Sequence, residues 1–169
     1  GNGTFDVPRN DFKFRINDLA VDKEAVGQVT GDLALRGTDL SGQIDAASPR
    51  LSVTGAGRIS LTPDADSEIS LRFHDTSIDQ YVRLFVPGIP ASTTAVASGS
   101  MHLAGALTDF DHLVVDATVD ALAMSLHTPV QDVSEVRQDF AVKNAAPIRL
   151  ALDRGQVNVQ DLQLVGEDT

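Results

Sequence analysis

Histidines and nucleophiles are the first residues to consider for chemistry, and this sequence has few of them. It has no cysteine and four histidines, His74, His102, His112 and His127. No two of these histidines have the short spacing of a metal-binding pair. Strand alternation places His102 and His127 on a polar face, and all four are interpreted as solvated side chains. The sequence therefore predicts no metal site and no cofactor.

Acidic residues offer one further candidate, a cluster made of Asp64, Asp66 and Glu68. The cluster resembles the start of a calcium loop, but the required glycine and the distal bidentate glutamate are missing. A solvated hairpin turn explains it better. The sequence also has no Gly-x-Ser-x-Gly nucleophile elbow, no phosphate-binding glycine loop and no dinucleotide fingerprint. We therefore expect a protein that is not an enzyme.

The amino-acid composition of the chain limits the classes of partner that it could bind. The chain has 169 residues, of which 42% are hydrophobic and 22% charged, so we expect one globular unit. Its formal net charge is −11, which repels nucleic acid and anionic lipid headgroups. Contact with lipid tails depends on apolar area and stays possible. No apolar run approaches the roughly 20 residues of a membrane helix.

Period-two alternation of apolar and polar residues is the main structural signal, and it predicts strands with one buried face. Turn formers separate the runs, so about a dozen short strands in an antiparallel meander are expected. The apolar positions are Phe12, Phe14, Ile16; Val29, Leu33, Leu35; Leu51, Val53; Ile59, Leu61; Ile69, Leu71, Phe73; Met101, Leu103; Val115, Ala117, Val119; Leu122, Met124, Leu126; Ile148, Leu150, Leu152; Val157, Val159; and Leu162, Leu164.

An internal repeat supports a stacked architecture. The pattern that begins at Phe12 and contains Asp18 and Asp22 recurs 57 residues later, beginning at Ile69 and containing Asp75 and Asp79. The Gly-x-Leu-x-Leu-x-Gly pattern of 31–37 recurs at 99–105, with Met101 in place of the first leucine. We interpret 1–169 as one repeat-type segment of a larger protein, with units of about 10–61 and 67–166. The repeated aspartates are interpreted as Asx-type turn residues at strand ends.

An insertion in the second unit contains the one convincing helix, at about 77–86. Ser77 is a suitable N-cap, and the apolar residues Ile78, Tyr81, Val82 and Phe85 form one stripe. We expect a lid over one end of a sheet core; the alternative is a mobile gate over a ligand groove. The small residues of 88–98 predict a flexible loop, and 136–142 predicts a strand.

The C-terminal half of the sequence contains the most specific pattern. It is Asn-x-x-Pro-Ile-x-Leu-x-Leu-x-x-Gly-x-Val-x-Val from Asn144 to Val159, followed by Leu-x-Leu-x-Gly-x-x-Thr from Leu162 to Thr169. With the glycine-flanked run at 99–105, it resembles the repeating unit of the AsmA-like superfamily, and most closely its TamB branch. That branch is the inner-membrane component of the translocation and assembly module.

The resemblance implies a long β-sheet curled into an open trough across the periplasm. It also implies a membrane helix absent from this segment, which anchors the parent protein in the inner membrane, and an outer-membrane barrel partner. The family is associated with phospholipid movement between the two membranes and with outer-membrane biogenesis. From the residues alone, a β-sandwich is the alternative, because one apolar face per strand must be covered by something.

Two functions follow as hypotheses. In the first, phospholipid acyl chains lie in an apolar groove lined by Phe12, Phe14, Ile16, Leu33, Leu35, Ile69, Leu71, Phe73, Met101, Leu103, Leu150 and Leu152; each of these residues could equally be ordinary sheet core. In the second, the sheet is a scaffold that binds outer-membrane protein strands by β-augmentation. Exposed edge strands also predict self-association of the segment.

Overall fold

Eleven β-strands account for most of the residues that the structure describes. A computed structural model of the chain describes residues 9–21, 24–79, 82, 90, 92–109, 111–127 and 139–167. The strands are β1 (Arg9–Val21), β2 (Glu24–Arg36), β3 (Asp39–Ser48), β4 (Leu51–Ser60), β5 (Ser67–Ser77), β6 (Thr94–Gly105), β7 (Val114–His127), β8 (Asp139–Asn144), β9 (Ile148–Asp153), β10 (Gln156–Gln160) and β11 (Leu164–Glu167).

All eleven strands belong to one open sheet, in which every neighbouring pair is antiparallel. Within the described residues, all strands belong to this single sheet and only five hydrophobic residues are buried, so no second sheet packs on either face. The predicted all-β meander is confirmed, and its open, unclosed sheet is what a trough requires. The alternative of a β-sandwich is wrong for this part of the chain.

The sheet divides beyond β7. One half of β7 pairs with β8 and the other half pairs with β9. In turn, β11 pairs with β8, and β10 pairs with β9. The segments β8–β9 and β10–β11 therefore each behave as one long strand that is interrupted in the middle. A two-residue turn, Arg154-Gly155, joins the two interrupted strands, and both of its residues have positive φ, as a type I′ turn requires.

Irregularities line up across the sheet as a transverse crease. Strand β1 is bulged at Asp18 and β5 at Asp75, where φ is 56° and 44°. Between the two bulges lie three strands, and the residues that lie in line with the bulges on these strands are Gln28 of β2, Ala47 of β3 and Ser52 of β4. The register of β7 also shifts at this level, and the interruptions of β8–β9 and β10–β11 continue the line. Because bulges bend strands and increase their twist, the crease curves the sheet.

Two of the four repeated aspartates therefore have a different role from the predicted one, and Asp22 lies outside the described residues. Asp18 and Asp75 were expected at turns that end strands, but both strands continue past them. They occupy the left-handed position of a bulge, a conformation that aspartate tolerates better than most residues. The two copies also differ in pairing, since Phe14 faces Gly31 in the first and Phe73 faces Gly99 in the second. The second hairpin is thus shifted by two residues, which preserves the face of every side chain.

Two local predictions fail, and one lies mostly outside the described residues. Strand β3 was not predicted, because glycine and small polar residues weaken its alternation. The stretch 94–98, interpreted as part of a flexible loop, instead begins β6 and contains Ala95 and Ala97, which are 0% and 2% exposed.

Of the predicted helix, only 77–79 and 82 are described; the Val82 amide donates to the Ile78 carbonyl at 3.0 Å, as in one helical turn. The predicted strand at 136–142 is found as β8, from Asp139.

Candidate functional site

The strand register places all twelve predicted groove residues on one face of the sheet. Side chains of directly paired residues point to the same side, so the pairing can be followed from β1 to β10. We call this side the apolar face. Its two central rows are Phe12, Leu33, Gly42, Gly57, Ile69, Leu103, Val115, Leu152 and Val157, and Phe14, Gly31, Ile44, Gly55, Leu71, Met101, Ala117, Leu150 and Val159.

Large side chains on this face lie over glycines of the neighbouring strand. A Cβ at Gly55 would be 2.8 Å from Cδ2 of Leu71, and a Cβ at Gly99 would be 2.9 Å from Cζ of Phe73. Each glycine thus leaves room for the leucine or the aromatic ring beside it. The alternation of large and absent side chains makes the surface ridged, with depressions between the ridges.

One of these depressions is a hollow of ≈ 210 Å³ at the centre of β2 to β5. Leu33, Ile69 and Leu71, three of the predicted residues, line it. Sequence reasoning missed the others, because they belong to β3 and β4, whose alternation is diluted by Gly42, Gly55 and Gly57. The pattern Leu40-Gly42-Ile44-Ala46 was the available signal. The residues missed are Leu40, Ile44, Ala46 and Ala56, with the three glycines; Val53 and Ile59 were predicted as apolar strand positions but not as lining of the groove.

Much of the apolar face is open to solvent. Phe12, Ile16 and Ile44 are 46%, 42% and 40% exposed. Among the described residues, only Val29, Ala95, Ala97, Leu113 and Ile148 are buried hydrophobic residues. A contiguous apolar surface of this kind is unusual in a soluble monomer and indicates a site of interaction.

One end of the apolar face is covered, at and beyond the crease. We call it the covered end, and it consists of Thr76–Asp79 and Thr93–Ala97. Ala95, Ala97, Thr76 and Thr93 are buried there, and the Ile78 amide donates to the Ala95 carbonyl at 2.8 Å. The Thr93 hydroxyl has no hydrogen-bond partner among the described residues. Small side chains at this end allow close approach of the backbone.

A charged network fixes the covered end. The Asp79 carboxylate accepts hydrogen bonds from Arg50 Nη2 at 2.6 Å, from Ser77 Oγ at 2.6 Å and from the Ala95 amide at 3.2 Å. Burial acts to raise the pKa of Asp79. The hydrogen bonds from Ser77 and from the amides of Ala95 and Asp79, together with the Arg50 charge, outweigh burial and lower the pKa below 3.8, its ordinary value. The network joins the turn between β3 and β4 to the end of β5 and the start of β6.

The opposite face of the sheet is polar. It contains a broad hollow of ≈ 530 Å³ across β3 to β7, lined mainly by polar residues such as Asp45, Arg72 and Asp116. At its rim, Ser70 Oγ lies 3.0 Å from His102 Nδ1, and His102 Nε2 lies 3.7 Å from Glu68. Near the β1 edge, a hydrogen bond from Lys13 to Asp32 raises the pKa of the lysine.

The remaining histidines agree with their interpretation where they are described. His74 and His112 are exposed. His74 Nε2 lies 3.1 Å from Asp75 Oδ2, and His112 Nδ1 lies 2.8 Å from Asp109 Oδ2. The side chain of His127 lies outside the described part. Among the described residues, no group of three or more histidine and acidic side chains could hold a metal ion. No described helix has the length and hydropathy needed to cross a membrane.

Comparisons with known proteins give no further identification. No family model matches the chain, and neither a curated protein nor a solved structure matches it. The resemblance to the AsmA-like superfamily therefore stays a prediction from the sequence.

Proposed function

We propose that this chain is a segment of a periplasm-spanning envelope protein, and that its apolar face carries phospholipid between the inner and outer membranes. The observation that supports the proposal is an apolar face that continues over nine strands from β1 to β10 and, away from its covered end, is largely open to solvent among the described residues. The parent protein would be anchored in the inner membrane and would meet an outer-membrane barrel.

The small volume of the hollow on the apolar face determines how a lipid would bind. The hollow of ≈ 210 Å³ is smaller than the roughly 300–1,000 Å³ of small-molecule pockets. A compact ligand is therefore disfavoured, whereas an acyl chain can lie along the rows of the sheet. Each buried methylene contributes roughly 0.8 kcal/mol, and association itself costs about 4–15 kcal/mol. An acyl chain must therefore contact the face along most of its length.

Charge favours recognition of tails over headgroups. The net charge of −11 disfavours close approach of anionic headgroups. A headgroup would stay in water at the rim, and the tail would contribute the binding energy. We therefore expect the protein to bind zwitterionic and anionic phospholipids with similar affinity at physiological salt, where surface charges are screened beyond about 8 Å.

A pair of adjacent substitutions tests the proposal. Leu71→Asp introduces a carboxylate on the apolar face, and Ser70→Asp introduces one on the polar face of the same strand. The readout is extraction of a phospholipid with a fluorescent acyl chain from vesicles by the purified chain. Leu71→Asp is expected to weaken binding at least about tenfold, because an unpaired carboxylate beside methylenes costs more than about 1.4 kcal/mol. Ser70→Asp should bind like wild type.

The proposal fails if wild type extracts no lipid, or if the two variants bind equally well. Leu103→Asp, which faces Ile69 on the apolar face, should repeat the loss seen with Leu71→Asp. Urea unfolding of each variant separates lost binding from lost folding.

A protein-binding scaffold is the second candidate function. The outer sides of β1 and β10 have no strand partner within the described residues. Each could accept a strand of an outer-membrane protein by β-augmentation. Under this alternative, a β-strand peptide from an outer-membrane protein binds the chain, and Leu71→Asp, which leaves both edges intact, does not weaken that binding. Phospholipid recovered with the purified protein would favour the first function.

A further inference from the structure

Strand β10 has a sequence that reads the same in both directions. It is Gln156-Val157-Asn158-Val159-Gln160, with Asn158 at the centre. All five residues are exposed, with Val157 at 68% and Val159 at 53%. The strand pairs only with β9 among the described residues. A palindromic strand at a sheet edge can pair with a second copy of itself, because antiparallel pairing about its centre matches each residue with its equivalent.

The backbone groups of β10 are oriented for such pairing. The two-residue turn at Arg154-Gly155 closes between Asp153 and Gln156. The Gln156 backbone therefore bonds to β9. Because successive residues of an antiparallel strand direct their backbone groups to alternate sides, Val157 and Val159 direct theirs to the free edge. Antiparallel pairing centred on Asn158 places Val157 opposite Val159 of the second copy. The backbone N–H and C=O groups of each of these valines then face those of the other.

We propose that β10 is a self-pairing edge that joins two copies of this chain about a two-fold axis through Asn158. The axis is perpendicular to the sheet, so it reverses the strand direction and keeps each face on its own side. The valines of both copies then meet on the apolar face, and the asparagine and glutamines meet on the polar face. The inference does not depend on the proposed cargo, although it would place two apolar faces side by side.

Charge and direction favour this contact over the other available edge. Strand β10 has no charged residue, whereas β1 has Arg9, Asp11, Lys13 and Arg15. Charged side chains are a common protection of edge strands against pairing, and β10 lacks this protection. Strands β1 and β10 also run in the same direction. A contact between β10 and β1 of a second copy that kept the two apolar faces on one side would be parallel, which is less stable per residue.

Single cysteines test the register, because the chain has none of its own. Asn158→Cys brings two thiols face to face across the axis, within the roughly 4.4–6.8 Å between Cα atoms that a disulfide allows. Gln156→Cys is the matched control: its two copies lie about 13 Å apart, because each faces position 160 of the other copy. Under mild oxidation, Asn158→Cys should become a disulfide-linked dimer, and Gln156→Cys should form no disulfide-linked dimer. Equal cross-linking of the two variants, or none in either, overturns the proposal.

Paired charges give a second test without oxidation. Gln156→Lys with Gln160→Lys places two like-charged pairs across the axis, and Gln156→Lys with Gln160→Glu places two opposite-charged pairs there. Within one copy of the second variant, the new lysine would face Asp153 and the new glutamate would face Arg149, so the pairing of β10 with β9 is kept.

Sedimentation velocity over a hundredfold range of concentration reads out the association of wild type and both double variants. It should show dimer for wild type, more dimer for the opposite-charged variant and monomer for the like-charged one. A wild-type chain that stays monomeric throughout, or two variants that associate equally, contradicts the proposal.

Discussion

The covered end of the apolar face and its two central rows, which we call the open middle, follow the same strand alternation but have different side chains. At the covered end, small residues such as Ala95 and Ala97 are almost fully buried. In the open middle, larger residues such as Phe12 and Ile44 stay 46% and 40% exposed. Small side chains occur at the buried end, and large ones occur where the described residues provide no cover. The difference supports the proposal that a ligand contacts the open middle.

The largest expected effect of this difference is on stability. Ala97→Asp places an unpaired carboxylate at a site that is 2% exposed. It should lower the free energy of unfolding by at least about 3 kcal/mol. Leu71→Asp in the open middle should cost roughly 1 kcal/mol, since its carboxylate can reach water. Urea unfolding measures both, and Val96→Asp, on the opposite face of β6, is the control for Ala97→Asp. Equal losses for Ala97→Asp and Leu71→Asp would show that the middle is also a closed core.

The second effect concerns the network that fixes the covered end. Arg50→Met removes the guanidinium that bonds to Asp79 and leaves that buried carboxylate with fewer partners. An unfolding loss of about 1–3 kcal/mol is expected. Arg58→Met breaks an exposed pair with Asp39 and should cost less than about 1 kcal/mol. If the two variants unfold alike, the network does not stabilise the covered end.

The same network predicts a smaller, pH-dependent effect. The pKa of Asp79 is lower in the folded chain than in the unfolded one, so its ionised form favours folding. This contribution is complete above the unfolded pKa and is lost as pH falls through the folded pKa. Asp79→Asn should therefore remove part of the decline in stability on acidification below pH 3.8. The measurement is urea unfolding at a series of pH values, and an unchanged acid profile in the variant would contradict the assignment.

The smallest effect is expected at the crease between the two regions. Asp18 has a left-handed φ of 56°. Asp18→Gly should raise the melting temperature slightly or leave it unchanged, because glycine adopts this conformation without strain. Asp18→Val should lower the free energy of unfolding by about 1–2 kcal/mol. A valine variant as stable as wild type would show that β1 does not need the bulge.

The face of each predicted groove residue could be predicted from the sequence, because alternation is local and the register preserves it. Leu71 and Met101 are one such pair. The crease could not be predicted in this way, because a bulge at Asp75 depends on the pairing of β5 with β6 and leaves no distinct local pattern. The burial of Ala95 was missed for a related reason. Its small neighbours have weak strand propensity, and tertiary contacts at the covered end override that preference.

Contact of lipid with the apolar face, and not with the polar one, is the central claim. Site-specific photocrosslinking along β5 and β6 tests it directly, with a photoreactive residue placed in turn at 69 to 72 and at 100 to 103 and the chain incubated with radiolabelled phospholipid vesicles. We predict crosslinks at Ile69, Leu71, Met101 and Leu103, and background at Ser70, Arg72, Ser100 and His102. Crosslinks of equal strength at all eight positions, or stronger ones on the polar face, would contradict the claim.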